Sequence, residues 1–247
     1  MPTAKDKMAL SFGGSATSYD RLRPRYPADA VTRAIGAARI ATAVDLGAGT
    51  GLLTAALAAR GLEVIAVEPD VEMTKLLTGR LPDIRVEIAT AEHLPLGDAT
   101  VDAVFAGQAF HWFTRPDTDR EIARVLRPDG IVAILTNVNP VDADWEGTLH
   151  RAVLGTGQPS LTSAAGALDP GLFTDEVQFF VPNPHRLAID AFLALPRTWS
   201  WVATATPAQQ KRVAAEAERL ARQIADPGGT TVTLPYSTRV VRAVRRG

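Results

Sequence analysis

The composition of this 247-residue chain excludes several classes of protein. Hydrophobic residues make up 46% and charged residues 21%, so the chain can bury a large core and is not intrinsically disordered. The 26 Lys and Arg nearly balance the 27 Asp and Glu, and the formal net charge of -1 gives no overall field that would attract nucleic acid or an anionic membrane. The absence of cysteine rules out disulfides, a thiolate nucleophile and cysteine-ligated metals.

The hydropathy pattern contains neither a secretory signal nor a membrane span. Residues Met1 to Asp20 mix charged residues with Gly, Ser and Thr and lack an uninterrupted apolar stretch. Nowhere do about 18 apolar residues follow one another, as a bilayer-spanning helix requires. We therefore expect a cytoplasmic protein without membrane insertion. We also expect a monomer or a homodimer.

Short apolar runs alternate with helical patterns from Ala43 to Asn137, which is typical of βαβ units around a parallel sheet. The predicted strands are Ala43–Gly47, Glu63–Val67, Ile84–Ile88, Val101–Gly107 and Ile131–Thr136. The predicted helices between them are Leu52–Arg60, Val71–Leu81 and Pro116–Leu126, where apolar residues recur every three or four positions. Because the strands are apolar almost throughout, we expect a doubly wound sheet covered on both faces.

Beyond Asn137 the regular alternation stops, and prolines interrupt segments rich in Gly, Ser and Thr. We predict a partly helical insertion over residues 138–229, which includes a sheet strand near residues 176–181 and a helix over Pro207–Ala225. Residues 230–247 would supply the C-terminal strand that completes the sheet. The expected fold is therefore α/β and Rossmann-like, with a mainly parallel seven-stranded sheet, a ligand-binding core over residues 1–137 and an insertion that caps the substrate.

The most informative segment is Val44-Asp45-Leu46-Gly47-Ala48-Gly49-Thr50-Gly51, at the turn from the first strand into the first helix. Its alternating glycines allow positive φ angles and the close approach of a ligand to the backbone. The following helix directs unpaired N–H groups and the positive end of its dipole towards the turn. A tight turn without a ligand would use the same glycines, so the interpretation depends on neighbouring residues.

Three neighbouring residues distinguish between possible ligands. Dinucleotide sites have a third glycine where Leu52 stands, which disfavours a nicotinamide-dependent oxidoreductase. Asp45 at the end of the first strand would repel a pyrophosphate and attract an ammonium group. Glu68 ends the second strand, where a carboxylate can accept hydrogen bonds from the two hydroxyls of a ribose. The pattern therefore favours a ligand that carries both an amino group and a ribose.

Five motifs resemble, in order and spacing, those of the class I S-adenosylmethionine-dependent methyltransferases. They are Val44–Gly51 at the first strand, Val64–Asp70 at the second, Thr90–Leu96 in the adenine loop, Val101–Trp112 at the fourth strand and Arg127–Leu135 at the fifth. The opening Tyr19–Pro27 and the run Gln108–Trp112 are similar to the small-molecule branch, which includes ubiquinone/menaquinone-biosynthesis and trans-aconitate methyltransferases. The resemblance implies S-adenosylmethionine as cofactor and a small-molecule methyl acceptor.

The resemblance also implies roles for individual residues. It assigns cofactor binding to Tyr19, Arg23, Asp45, Gly47, Ala48, Gly49, Glu68, Pro69, Thr90, Ala91, Glu92 and Gln108. Among these, Asp45 and the glycines would hold the methionine part, Glu68 the ribose hydroxyls, and Ala91 with Glu92 the adenine. Thr90 departs from the family's pattern, because many relatives carry there an Asp that binds the adenine amino group.

On the acceptor side, His111 and Tyr19 are the candidates for a catalytic role. Methyl transfer mainly requires alignment of the two reactants, and a base is optional when the acceptor is already an anion. His111 follows the fourth strand and would act as a base, position the substrate or pack against Trp112. Arg197 and Trp199 are further candidates for substrate binding, although the aromatic residues of the insertion equally suit its core.

Other functions remain open at this stage. A protein that binds S-adenosylmethionine without methyl transfer, as a regulator or a rearrangement catalyst, would share the binding features. Nucleic acid is not expected as a substrate, because no basic stripe alternates with aromatic residues. The histidines lack the spacing of metal ligands, so no metal is predicted. The acceptor atom could belong to a carboxylate, phenol, enol carbon or thiol.

Overall fold

Two compact units make up the structure, a computed structural model that describes residues 21–139, 145–154 and 168–247. The sheet unit comprises residues 25–137, 168–181 and 238–247. The helical unit comprises residues 21–24, 138–139, 145–154 and 182–237. Neither unit is a continuous stretch of sequence.

Seven strands form one large sheet. They are β1 (Thr42–Leu46), β2 (Glu63–Val67), β3 (Arg85–Glu87), β4 (Val101–Gly107), β5 (Leu126–Val138), β6 (Phe173–Pro182) and β9 (Ser237–Arg245). Their order in the sheet is β3-β2-β1-β4-β5-β9-β6. The pairs β1–β2, β1–β4, β2–β3 and β4–β5 are parallel, which confirms the predicted mainly parallel, seven-stranded Rossmann-like sheet.

Helices bury both faces of this sheet. They are α1 (Ala28–Ile35), α2 (Leu52–Ala58), α3 (Val71–Arg80) and α4 (Asp117–Val125). Side chains alternate between the faces along a strand: Val44 packs in one core layer with Ile122 of α4, and Ala43 packs in the other layer with Leu57 of α2. A strand that is buried on both faces needs apolar residues at nearly every position, which explains the continuous apolar runs in the sequence.

The helical unit has its own hydrophobic core. It contains α5 (Trp145–Leu154), α6 (Ile189–Ala194), α7 (Ser200–Ala203), α8 (Pro207–Ile224) and an antiparallel pair of strands, β7 (His185–Ala188) and β8 (Thr231–Leu234). Helix α8 begins with a capping box, in which the Thr206 and Gln209 side chains each bond the other residue's backbone N–H. No helix in the described ranges is both long enough and apolar enough to cross a membrane.

Apart from shifts of one to three residues at the ends of β1, β3 and β6, the structure differs from the expected strand bounds mainly in two places. The C-terminal region predicted as one strand is split, because β8 pairs with β7 and only β9 joins the large sheet. Pro235 lies between them, and proline cannot donate the N–H that a continuous ladder requires. The fifth strand begins at Leu126 rather than Ile131, since Leu126 already has extended angles, φ -68 and ψ 138.

Candidate functional site

The glycine turn between β1 and α2 is closed on one side and open on the other. Gly47, Gly49 and Gly51 have φ angles of 69°, 56° and 80°, a region that favours glycine. A Cβ atom at Gly47 would lie 2.5 Å from the Cβ of Ala109, whereas one at Gly49 would have no atom of the described residues within 4 Å. The turn therefore offers backbone at Gly49 to a ligand while Gly47 is packed against the protein.

Glu68 at the end of β2 is fixed directly against this turn. Its side chain is buried, its Oε2 accepts a hydrogen bond from the Gly49 N–H at 2.8 Å, and its Oε1 accepts one from the Asp70 N–H at 2.9 Å. Burial raises the pKa of Glu68, although the two backbone hydrogen bonds oppose the rise. The glycine motif and the second-strand acid thus meet, as the resemblance implies.

Asp45 is completely buried at the end of β1. Its Oδ2 accepts a hydrogen bond from the Thr54 hydroxyl at 2.6 Å, while its Oδ1 has no hydrogen-bond partner in the described part of the chain. Burial, with a smaller contribution from the nearby carboxyl of Glu68, raises the pKa of Asp45 from 3.8 to about 7, although the hydrogen bonds from Thr54 oppose the rise. An unpartnered carboxyl oxygen in this position is costly unless a donor reaches it.

Gln108 follows β4 in a left-handed conformation, with a φ angle of 53°. Such a conformation is uncommon outside glycine and clusters at functional sites. The side chain is fixed, because its Nε2 donates to the Asn137 carbonyl at 2.9 Å. Asn137 is fixed in turn, since its Oδ1 accepts a hydrogen bond from the buried Thr238 hydroxyl at 2.6 Å.

Sequence reasoning missed three residues of this region: Thr54, Asn137 and Thr238. The first bonds Asp45, and the other two hold Gln108. A signal existed for Asn137, because it is a polar residue that directly follows the predicted strand Ile131–Thr136. Thr54 and Thr238 gave no signal, since nothing in the sequence shows which polar group they face.

His111 and Trp112 lie in a short 3-10 helix, Phe110–Trp112, that follows β4. Both side chains are half-buried, and their rings are in contact with centroids 4.8 Å apart. Of the three expected arrangements for His111, the ring contact corresponds to packing against Trp112, while a role as a base or in positioning the substrate stays a prediction.

The loop Thr90–Leu96, which the resemblance assigns to adenine binding, is held to the segment after this 3-10 helix. The Glu92 carboxylate accepts a hydrogen bond from the Thr114 N–H at 2.8 Å, and Ala91 is buried. Burial alone would raise the pKa of Glu92, but hydrogen bonds, that from Thr114 first among them, bring it below its ordinary value. Thr90 and Pro69 are exposed.

The remaining predicted site residues belong to the helical unit or lie outside the described residues. Arg23 donates to the Thr198 carbonyl at 3.1 Å, Arg197 is exposed, and Trp199 is buried with 3% of its surface accessible. Tyr19 lies outside the described residues. The residues brought together within the sheet unit are thus the glycine turn, Glu68 and Asp45.

The chemistry of these groups fits S-adenosylmethionine. The carboxyl groups of Asp45 and Glu68 influence each other electrostatically, so a cationic ligand is favoured here over a pyrophosphate. The open side of Gly49 leaves room for an extended ligand, and the unpartnered Asp45 oxygen can accept from an ammonium group. In the described ranges, no group of three or more His, Asp or Glu is arranged to hold a metal ion.

Sequence comparisons agree with this assignment. The methyltransferase domain family matches residues 44–134, from β1 to β5. An uncharacterized methyltransferase of Mycobacterium tuberculosis is 36% identical over 245 residues, which cover 98% of this chain and 99% of that protein. The malonyl-[acyl-carrier protein] O-methyltransferase of Methylococcus capsulatus is 32% identical over 145 residues, 52% of this chain and 50% of that protein.

A solved structure shares the fold. Phosphoethanolamine N-methyltransferase 2 of Haemonchus contortus, in complex with phosphomonomethylethanolamine and S-adenosylhomocysteine, superposes with a TM-score of 0.59 and covers 100% of this chain and 61% of that one. At 14% sequence identity this likeness concerns the fold alone. The relative that matches over the whole length, the matched domain and the geometry of the glycine turn together show that the chain belongs to the class I S-adenosylmethionine-dependent methyltransferases.

Proposed function

We propose that this methyltransferase binds its cofactor at the glycine turn and methylates a small molecule. The observation that supports the proposal is the double hold on Glu68, by the N–H groups of Gly49 and Asp70. Each carboxylate oxygen has two acceptor positions, so one remains on each oxygen for the two ribose hydroxyls. The residue is therefore oriented before the cofactor arrives, which lowers the entropic cost of binding.

The amino-acid end of the cofactor would be held by Asp45 and Gln108. The unpartnered Oδ1 of Asp45 would accept a hydrogen bond from the ammonium group, and ionisation of this carboxyl becomes easier once a cation is near. Because Gln108 Nε2 donates to Asn137, its amide oxygen is left as a second acceptor. The adenine would lie against Ala91 and Glu92, beside Pro69 and Thr90.

The cofactor supplies a methyl group on a positively charged sulfur, which is electrophilic without further activation. The protein's task is mainly to align the acceptor with this carbon, and well-oriented reactants can lower the barrier by roughly 7–11 kcal/mol. His111 is the candidate to remove a proton from a neutral acceptor or to position it, with Trp112 as part of the wall. A base adds roughly 10²- to 10⁴-fold where the acceptor must lose a proton.

A small molecule is the proposed acceptor for two reasons. One relative acts, by its name, on a malonyl group carried by an acyl-carrier protein, and this chain matches about half of it. The formal net charge of -1 offers no general attraction to nucleic acid, which we propose is not a substrate. We also propose a cytoplasmic location and a monomeric or homodimeric state, both on the sequence pattern.

The test is methyl transfer from labelled S-adenosylmethionine to a metabolite extract. We expect a labelled small molecule, with S-adenosylhomocysteine as the second product. Calorimetric binding of S-adenosylhomocysteine without any labelled product from varied extracts would favour the regulator or rearrangement catalyst instead. Absence of binding heat with well-folded protein would overturn the proposed cofactor site.

A further inference from the structure

Four aromatic side chains meet in the core of the helical unit, and we call them the aromatic cluster: Trp145, His150, Trp199 and Trp201. The rings of Trp199 and Trp201 stack with centroids 5.1 Å apart and planes 19° apart. His150 meets Trp201 edge-on at 5.0 Å, and Trp145 lies 5.8 Å from Trp199. Two helical segments before α8 and helix α5 bring these rings together.

Two nitrogen atoms of the aromatic cluster are buried without a partner. The Trp199 indole Nε1 and the His150 Nδ1 make no hydrogen bond in the part of the chain that the structure describes. The Trp145 indole, in contrast, has a hydrogen-bond partner, since its Nε1–H donates to Asn139 Oδ1 at 2.9 Å. Buried indole N–H groups normally find an acceptor, and leaving one without a partner is energetically costly. Two unpartnered nitrogens in one cluster therefore indicate a place where a ligand supplies the missing partners.

The electrostatics of the cluster favour an uncharged ligand. Burial lowers the pKa of His150, so its imidazole is neutral near pH 7. Arg23 and Glu146 of the same unit attract each other, and burial raises the pKa of Glu146. A carboxylate or phosphate would have to lose its hydration on entering the cluster, which costs more than one hydrogen bond to a neutral indole returns.

The hydrogen-bond donor and the ring arrangement of the aromatic cluster restrict the chemistry of the ligand further. The Trp199 indole can only donate, so the ligand must carry an acceptor oxygen. Because Trp199 and Trp201 already stack on each other, a ligand would meet the edge of this pair, where another aromatic ring packs favourably edge-to-face. Trp201 and His150 are half-buried, so the cluster reaches the surface of the helical unit on their side.

We propose that the aromatic cluster is a binding site for an uncharged aromatic compound with a carbonyl oxygen, which accepts the hydrogen bond of the Trp199 indole. His150 Nδ1 would provide a second polar contact. That this compound is the methyl acceptor rests on the proposed function. The binding site itself does not, because all of its groups lie within the helical unit.

The experiment is a titration of the full-length, ¹⁵N-labelled protein followed by NMR. The chain has 4 Trp, so it should show one indole N–H signal for each. We use acetophenone as the probe, ethylbenzene as its hydrocarbon match and benzoate as its anionic match. Acetophenone should move the Trp199 signal downfield in a saturable way, ethylbenzene should not, and benzoate should bind more weakly. An unmoved Trp199 signal, or an equal response to all three compounds, would overturn the proposal.

Two variants make the result specific. Trp199→Phe keeps an aromatic ring without the N–H, and we expect about a tenfold loss of acetophenone affinity, the equivalent of one neutral hydrogen bond. Trp201→Phe removes an indole N–H that is not among the unpartnered ones, and it should keep the downfield shift of the Trp199 signal. Equal affinity of the wild type and Trp199→Phe would contradict the proposal. If Trp199→Phe does not fold, the wild-type titration still decides the question.

Calorimetry with S-adenosylhomocysteine on the same samples separates this inference from the proposed function. Cofactor binding with an unmoved Trp199 signal would overturn the binding site alone. A saturable Trp199 shift in a protein that does not bind the cofactor would support the binding site and overturn the proposed function.

Discussion

Glu68 is the central residue of the proposed cofactor site. Its hydrogen bond with the Gly49 N–H links β2 to the glycine turn, and its carboxylate oxygens keep acceptor positions for a ribose. Glu68→Ala should weaken binding of S-adenosylhomocysteine by roughly 1.5–3 kcal/mol, the usual value of a hydrogen bond to a charged group. Isothermal titration calorimetry measures this directly. Glu72→Ala is the matched control, since Glu72 is exposed and pairs, among the described residues, only with Lys75 on the same helix. Equal affinity in Glu68→Ala and the control would contradict the assignment.

Asp45 makes the folded protein less stable as pH rises, which is opposite to the usual effect of a carboxyl group. Its pKa is raised from 3.8 to about 7, so between these values the folded protein keeps a proton that the unfolded chain releases. The free energy of unfolding of the ligand-free protein therefore loses this contribution progressively as pH rises from about 4 to 7. Asp45→Asn cannot ionise, so its stability relative to wild type should increase from about pH 5 to about pH 8 in urea unfolding. Parallel pH profiles of the two proteins would show that Asp45 does not titrate in this way.

The sequence predicted the types of these residues but not their surroundings. Asp45 and Glu68 could be identified because acidic residues at the ends of two neighbouring parallel strands must share one edge of the sheet. That Thr54 occupies one oxygen of Asp45 while the other stays unpartnered depends on side-chain packing. Local sequence patterns contain no information on such contacts between elements.

At the level of the elements, substitutions in the glycine turn can distinguish an effect on stability from an effect on cofactor binding. In the part of the chain that the structure describes, Gly49→Ala meets no atom within 4 Å, but it places a methyl group on the open side of the turn. We expect a backbone cost of about 1–2 kcal/mol and a loss of S-adenosylhomocysteine affinity of about tenfold or more. Gly61→Ala is the control, because Gly61 also has a positive φ, 76°, and open space around it, yet lies outside the site. It should show the same loss of stability with unchanged affinity, and a similar loss of affinity in both variants would argue against a ligand at Gly49.

The link between β9 and the end of β5 is a second test at this level. Thr238→Val removes the hydroxyl that donates to Asn137 in a fully buried place, so the free energy of unfolding should fall by about 1–3 kcal/mol. Cofactor affinity should fall as well, because Asn137 holds Gln108. Thr238→Ser retains the hydroxyl and should restore the affinity in calorimetry. A variant that loses stability but binds the cofactor normally would limit Thr238 to a structural role.

The bounds of an element could be predicted where its apolar pattern is continuous. They could not be predicted as well where pairing with a distant strand determines where the element begins and ends. The predicted Val101–Gly107 and Glu63–Val67 coincide with β4 and β2, because their runs are apolar and bounded by turn residues. The pairing of β8 with β7 was not predictable, since both strands are short and their partner is distant in sequence. Helix α5 also gave no clear signal before the structure placed Trp145 and Leu149 in one core.

For the whole molecule, ligand binding should appear as added stability. A ligand that binds only the folded state at a hundred times its Kd contributes about 2.7 kcal/mol, or roughly 5–10 °C in Tm for a chain of this size. S-adenosylhomocysteine should raise the Tm in this way, and NADH should leave it unchanged, because Leu52 replaces the third glycine of a dinucleotide site. Differential scanning calorimetry checks both ligands. A comparable rise with NADH would reopen the oxidoreductase interpretation.

The position of β9 in the sheet determines what a premature stop codon would do to this protein. Strand β9 is contributed by nearly the last residues of this sequence but lies in the interior of the sheet, between β5 and β6. A nonsense change just after Tyr236 would remove β9, and it would leave two long strands, β5 and β6, with unsatisfied backbone groups along facing edges. Such edges pair readily with other chains, so the shortened product is expected to accumulate as inclusion bodies rather than as a weakened enzyme.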